Sequence, residues 1–288
     1  MENIQSATWA DSLMFTSFGV RIGVRVNQHA LGKELQALMP PGAEASTSSA
    51  ADKLYSIVIN PAGEPHRDAA LSSLYEDSQA VAENCDPALV FKFLETRIRR
   101  TIAEQAPERV FIHAGVVEYR ARAIVIPGPS LSGKSTLVSE LIRRGATYYS
   151  DECAVLDEYG RVHPFAKPLS LRHPGSFDAV AYDVEAFGAA IGVKSVPIGM
   201  VVATHYCAGA SWRPRRLSAG HGALELLAHC IAARREPRRV MATLKAALAN
   251  AHILKGARGE ASELAQLLLD RAANLSTSTD ARPAKINR

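Results

Sequence analysis

The sequence predicts an α/β protein built around a phosphate-binding loop, with a small α/β module before the loop and a helical region after it. Three observations carry this. First, the apolar run Ile124-Val125-Ile126-Pro127 leads into Gly128-Pro129-Ser130-Leu131-Ser132-Gly133-Lys134-Ser135-Thr136, which has the G-x-x-x-x-G-K-[ST] spacing of a Walker A loop. Second, Leu137, Val138, Leu141 and Ile142 follow at helical spacing, and Arg143, Arg144 and Gly145 form a helix stop. Third, Phe18, Val20, Ile22, Val24 and Val26 alternate with Arg21 and Arg25, the period of a half-buried strand.

The chain has 288 residues, 47% hydrophobic and 22% charged, which suits one large or two small globular domains. A net charge of +4 is mild for this length and argues against nucleic acid as the main partner. The four cysteines (Cys85, Cys153, Cys207, Cys230) are far apart and form no C-x-x-C pair, so reduced thiols are expected. No apolar run approaches the roughly 18 residues of a membrane helix. The N-terminus also lacks the basic-then-apolar layout of a signal peptide. A cytoplasmic location without a membrane partner is therefore the expectation.

In chain order, residues 1–12 are polar and loose, and Phe15 to Val26 reads as one strand. Ala30 to Met39 is a short helix and Pro40 to Ala51 a loop. Leu54 to Ile59 is a second strand, ended by Asn60-Pro61-Ala62-Gly63. Residues 1–85 thus form a small N-terminal α/β module without a catalytic motif. Asp86-Pro87 starts a helix and opens a second domain, residues 86–273. Phe91, Leu94, Ile98 and Ile102 are its apolar stripe, and Arg97, Arg99 and Arg100 read as a solvated basic face.

Arg109 to Glu118 is a strand, and Tyr119 to Arg122 connects it to the strand that enters the loop. Ala146 to Ser150 is a strand ending in Asp151 and Glu152. Ala154 to Leu156 and Val162 to Phe165 form a hairpin. Phe177 to Lys194 is a substrate-binding loop or a plain connection. Val196 to Tyr206 is an apolar strand, and Trp212 to Leu217 is a basic edge strand or a surface for an acidic ligand. Ala223 to Ile231, Val240 to Leu254 and Ser262 to Ala273 read as helices. Residues 274–288 read as a disordered tail.

The chemistry concentrates at the loop. Gly128 and Gly133 permit torsions closed to other residues, so backbone N–H groups across Gly128 to Thr136 can line a nest for phosphate oxygens. The following helix adds its positive end. Lys134 supplies a charge for the β- and γ-phosphates and Ser135 a hydroxyl for Mg²⁺, so ATP and Mg²⁺ are the expected ligands. Asp151 lies 17 residues beyond Lys134. In a parallel sheet consecutive strands end at one edge, which would aim Asp151 at the phosphates. It would hold Mg²⁺ or take a proton from an attacking hydroxyl, unless it is a turn aspartate. His113, on the strand before the loop strand, is a structural histidine or a catalytic one. Lys167 and Arg172 are phosphate contacts or surface charges.

His113-Ala114-Gly115-Val116-Val117, Gly128 to Thr136 and Ser150-Asp151-Glu152, in this order and spacing, resemble the catalytic domain of HPr kinase/phosphorylase. More closely they resemble the shorter HPr-kinase-related proteins, among them peptide-tailoring kinases. The resemblance covers roughly residues 88 to 260. It implies a core like that shared by HPr kinase and PEP carboxykinase, and ATP-dependent transfer of a γ-phosphoryl group to a serine hydroxyl of a protein or peptide, such as the precursor of a modified peptide. It implies Lys134 and the loop as the nucleotide site, Ser135, Asp151 and Glu152 as metal ligands, Asp151 as the base and His113 beside it. The family's hexamers leave a homo-oligomer open. The second acidic position is Glu152 where the family has aspartate, and its Leu-Glu-x-Arg-Gly-x-Gly signature is not recognisable here. The alternative function is a nucleotide-dependent regulatory or assembly ATPase without a phosphoacceptor.

Overall fold

A computed structural model of the chain describes residues 4, 7–29, 32–60, 70–172 and 179–280. The expected turn at 61–63, the segment His173 to Asp178 and the tail from 281 lie outside these residues. The fold is mixed α/β, and the chain divides into two compact units, Met1–Glu108 and Arg109–Arg288.

The first unit contains β1 (Asp11–Ser17), β2 (Val20–Val26), α1 (Gly32–Ala37), β3 (Glu44–Ala45), β4 (Lys53–Asn60), β5 (Leu71–Glu76), β6 (Gln79–Cys85) and α2 (Pro87–Gln105). Its six-stranded sheet has the order β3-β1-β2-β4-β5-β6. The single strand expected over Phe15 to Val26 is a hairpin. Phe18 and Gly19 take φ of 48° and 82°, two successive left-handed residues that reverse the chain tightly. Alternation on both sides of such a turn runs on unbroken, which hides it. The β5–β6 hairpin was not foreseen.

Asp86 caps α2, its Oδ1 accepting from the N–H groups of Ala88 (2.9 Å) and Leu89 (3.3 Å). Val90, Leu94, Ile98 and Ile102 are buried, and the Thr101 hydroxyl lies 2.7 Å from the Tyr55 hydroxyl of β4. This helix therefore belongs to the first unit, whereas the sequence reading opened the second domain with it. The expected solvated basic face holds at Arg100, whose side chain is exposed, and is corrected at the other two arginines. Arg99 is 7% exposed with Nε 3.1 Å from Glu95, and Arg97 pairs with Glu76 of β5.

The second unit contains β7 (Val110–Tyr119), β8 (Arg122–Pro127), α3 (Lys134–Ile142), β9 (Thr147–Ser150), β10 (Cys153–Leu156), β11 (Arg161–His163), β12 (Leu169–Arg172) and β13 (Ala179–Tyr182). It continues with β14 (Val196–Tyr206), β15 (Arg215–Arg216), α4 (Ala219–Leu227), α5 (Pro237–Leu248), β16 (His252–Arg258) and α6 (Ala261–Asp280). The large sheet runs β11-β10-β7-β8-β14-β16-β15, with β9 also paired to β7 and β11 also paired to β14. Both faces are covered. Ile124, Ile126, Met200, Val202 and Leu254 pack with α3 and α6, while Ala123, Val125, Val201 and Ile253 pack with α4 and α5. Burial on both faces is why these strands read as continuous apolar runs.

Two further expectations change. Val240 to Leu254 is not one helix: α5 stops at Leu248, and His252 to Arg258 is a strand parallel to β14. The segment is too rich in Ala and Leu for local pattern to separate a helix end from a buried strand. Likewise α6 continues to Asp280, seven residues into the stretch read as tail. Phe177 to Lys194 includes β13, paired antiparallel to β12.

The α2 anchor is open to measurement. Leu94→Ala, at a fully buried position, should cost about 2–5 kcal/mol. Asp86→Ala should cost about 1 kcal/mol through the lost cap. Urea unfolding of the two variants reads both values.

Candidate functional site

The site is organised by β7. Strand β8 pairs antiparallel with it from Ala114↔Pro127 to Tyr119↔Arg122, and β9 pairs antiparallel along Val116↔Ser150 to Glu118↔Thr147. Both neighbours run opposite to β7, so both end beside His113. The sequence reading expected consecutive parallel strands. The same convergence arises here because one antiparallel strand stands between β8 and β9. At the meeting point His113 O accepts from Gly128 N (3.4 Å) and Ala114 N donates to Glu152 O (3.0 Å).

A cavity of about 380 Å³ opens there. Of the expected site residues, His113, Ser130, Leu131, Gly133, Lys134, Ser135, Thr136, Asp151 and Glu152 line it, together with Lys167 and Arg172. Gly128, Pro129 and Ser132 belong to the same loop without lining the cavity. Leu131 holds φ 70° and is exposed; Gly133 holds φ 80° and is the N-cap of α3. No side chain caps that helix end, so its first N–H groups stay available for an anion.

Asp151 is 6% exposed and is held from three sides. Its Oδ2 accepts from the Ser135 hydroxyl at 3.1 Å and from the Ser170 N–H at 3.4 Å. Its Oδ1 lies 3.0 Å from the hydroxyl of the fully buried Tyr148, which also lies 3.0 Å from Lys167 O. Glu152 Oε2 is 2.8 Å from Lys167 Nζ. Lys134 is 6% exposed and its Nζ donates to Pro129 O at 2.7 Å. Burial pulls the Lys134 pKa below the usual lysine value, against the attraction of Asp151, Cys153 and Glu152. Burial, then Lys134, likewise lowers His113 below the usual histidine value. His229, whose carbonyl accepts from His113 N at 2.9 Å, is lowered by the same two causes in the same order.

Two features fit a bound phosphate and Mg²⁺. The Ser132 hydroxyl is buried without a hydrogen-bond partner, although it lies within the loop whose N–H groups would face phosphate. The Ser135 and Asp151 oxygens converge. Among the described residues no group of three or more His, Cys, Asp or Glu could hold a metal ion.

Tyr148, Ser170, His229 and Arg258 were missed. Arg258 Nη2 donates to Gly133 O at 3.1 Å across 125 residues of sequence. Neither it nor His229 carries a local motif. Tyr148, three residues before Asp151, could have been suspected only if its strand's pairing were known.

No family model matches the chain, and no curated protein does. Among solved structures it is similar to the Hpr(Ser) kinase/phosphatase from Coxiella burnetii, at 16% identity and TM-score 0.34, over 58% of this chain and 98% of that one. Among the described residues no helix is long and apolar enough to cross a membrane.

The histidines set a pH dependence. The folded state holds protons on His113 and His229 less tightly than the unfolded chain does, so their contribution is complete above about pH 6.5. It is lost as pH falls through that value toward the lower folded pKa. The melting temperature should fall between pH 7.5 and 5.5, and less steeply in His113→Asn.

Proposed function

We propose that this chain is an ATP-dependent phosphotransferase that moves the γ-phosphoryl group to a serine hydroxyl of a protein or peptide. The observation that carries this reading is the buried Asp151 carboxylate, 3.1 Å from Ser135 Oγ and facing the same cavity as Lys134. A phosphate loop alone supports nucleotide binding. A buried acid fixed beside the loop's serine adds a group that can receive a proton where the phosphoryl group would leave.

In this reading the N–H groups of the 130–136 segment receive the nucleotide phosphates, and Lys134 Nζ exchanges Pro129 O for a phosphate oxygen. Ser135 and Asp151 would hold Mg²⁺, which when bound supplies charge neutralisation for the phosphates; Glu152 reaches the ion only by giving up Lys167. The acceptor hydroxyl approaches from the side of Lys167, Ser170 and Arg172 and gives its proton to Asp151. Tyr148 and the Ser170 N–H keep that carboxylate oriented, so it need not reorganise as transfer proceeds. His113, held neutral by burial and by Lys134, offers a hydrogen bond at the cavity wall without a second positive charge.

The test is transfer from labelled ATP to serine-containing peptides and proteins. Asp151→Asn should lower transfer by roughly 10²–10⁴-fold and leave nucleotide binding within a few-fold of wild type. Lys134→Ala should lose nucleotide binding itself. A wild-type protein that releases only free phosphate with every acceptor offered would sink the transferase reading and favour a nucleotide-driven regulator.

A further inference from the structure

We propose that Arg258 is a positioning residue for the nucleotide phosphates: a buried positive charge behind the 128–136 loop that fixes Gly133 and strengthens the loop's pull on an anion. This rests on the nucleotide-binding reading above.

Arg258 is the last residue of β16 and is 3% exposed. Its Nη2 donates to Gly133 O at 3.1 Å and its Nη1 to Gly259 O at 3.0 Å. Its Nε is buried and has no hydrogen-bond partner. Among the described residues it makes no ion pair, and the Tyr206 ring lies 5.4 Å from its guanidinium carbon. The nearby carboxylate, Glu260, accepts from the exposed Tyr206 hydroxyl at 3.0 Å instead. Taking a guanidinium out of water is costly, and among the described residues the attraction of Glu260 and Tyr206 does not offset it fully. An anion on the far side of the loop would.

The loop transmits the charge. Gly133 C=O and Lys134 N–H belong to one peptide group. A guanidinium on the carbonyl draws electrons toward the oxygen and makes the N–H a better donor. That N–H is the first of α3 and has no partner within the helix. Arg258 also explains the glycine. A Cβ on Gly133 would stand 2.3 Å from Nη2, on a residue already at φ 80°. The 128–136 loop has the conformation it has partly because an arginine from another strand occupies the space behind it. Arg258 does not line the cavity, so it acts through the peptide and not by touching phosphate.

A mere brace and a positioning charge differ in what they do to ligands of different charge. Calorimetric titration with Mg²⁺ and ATP, ADP or adenosine, on wild type, Arg258→Gln, Arg258→Lys and Lys134→Ala, separates them. Arg258→Gln should weaken ATP binding roughly tenfold to a hundredfold, the scale of one hydrogen bond to a charged group. ADP should suffer less and adenosine stay within about twofold. Arg258→Lys should recover most of the loss near neutral pH. Its ATP affinity relative to wild type should then fall between pH 7.5 and 9.5, because a buried lysine gives up its proton and an arginine does not. This second variant serves even if Arg258→Gln does not fold. Equal weakening of all three ligands, unchanged ATP binding in Arg258→Gln, or a lysine variant whose relative affinity is flat with pH would overturn the proposal. If Lys134→Ala also leaves ATP binding intact, the nucleotide reading itself has failed; if only the Arg258 variants are silent, this inference alone has.

Discussion

The second unit depends on the double pairing of β7. Over Val116 to Glu118 this strand is hydrogen-bonded to β8 on one edge and to β9 on the other. Because both neighbours run against it, the residues that follow them emerge side by side, and the loop and the acid meet at His113. A slip of one residue in either pairing would send every side chain of that strand to the opposite face. The apolar demand of both sheet faces resists such a slip, since α3 and α6 cover one and α4 and α5 the other. Site geometry is thus a by-product of core packing. Gly115 shows how closely: a Cβ there would stand 2.7 Å from Val138 Cγ2, so α3 can lie on β7 only because that position is bare.

Charge is the second constraint. Lys134, Asp151 and Arg258 are each nearly inaccessible, at 6%, 6% and 3% exposure, and Lys134 and Arg258 donate to carbonyl oxygens, not to a carboxylate. Two buried cations against one buried anion leave a surplus of positive charge near the loop. Such a surplus is unfavourable in a low-dielectric interior and becomes favourable when a polyanion arrives. By the rules that govern ordinary cores the site carries an uncompensated positive charge, and the proposed nucleotide phosphates would supply the opposite one.

How far the sequence could foretell this varies with the range of the interaction. The 128–136 loop was legible because its requirements are local: a strand, two glycines, a lysine and a helix start within one short run. Asp151 was legible because a strand end is a natural place for it, although the reason given, consecutive parallel strands, was incomplete. The α2 start at Asp86-Pro87 was read from capping chemistry alone, but its partner was not, since Tyr55 and Thr101 are 46 residues apart. Arg258 was invisible for the same reason, and β16 doubly so: Lys245 to Ala257 carries no period that separates strand from helix. The Phe18-Gly19 reversal was lost because a tight two-residue turn preserves alternation.

The way the large sheet ends has its own consequence. On one side β11 pairs with both β10 and β14, so that flank closes on itself. The outer edge of β9 is covered where Tyr148 exchanges backbone hydrogen bonds with Ala190 and Gly192. The open flank is β15, only two residues long, and both are exposed arginines. A sheet finished this way gives a stray extended chain almost nothing to template on, and what it does present repels a second copy of itself. Among the described residues, strand-to-strand pairing through the flanks of this large sheet is therefore disfavoured, which leaves β6 of the first unit, mostly exposed and at the end of its sheet, as the longer unpaired edge.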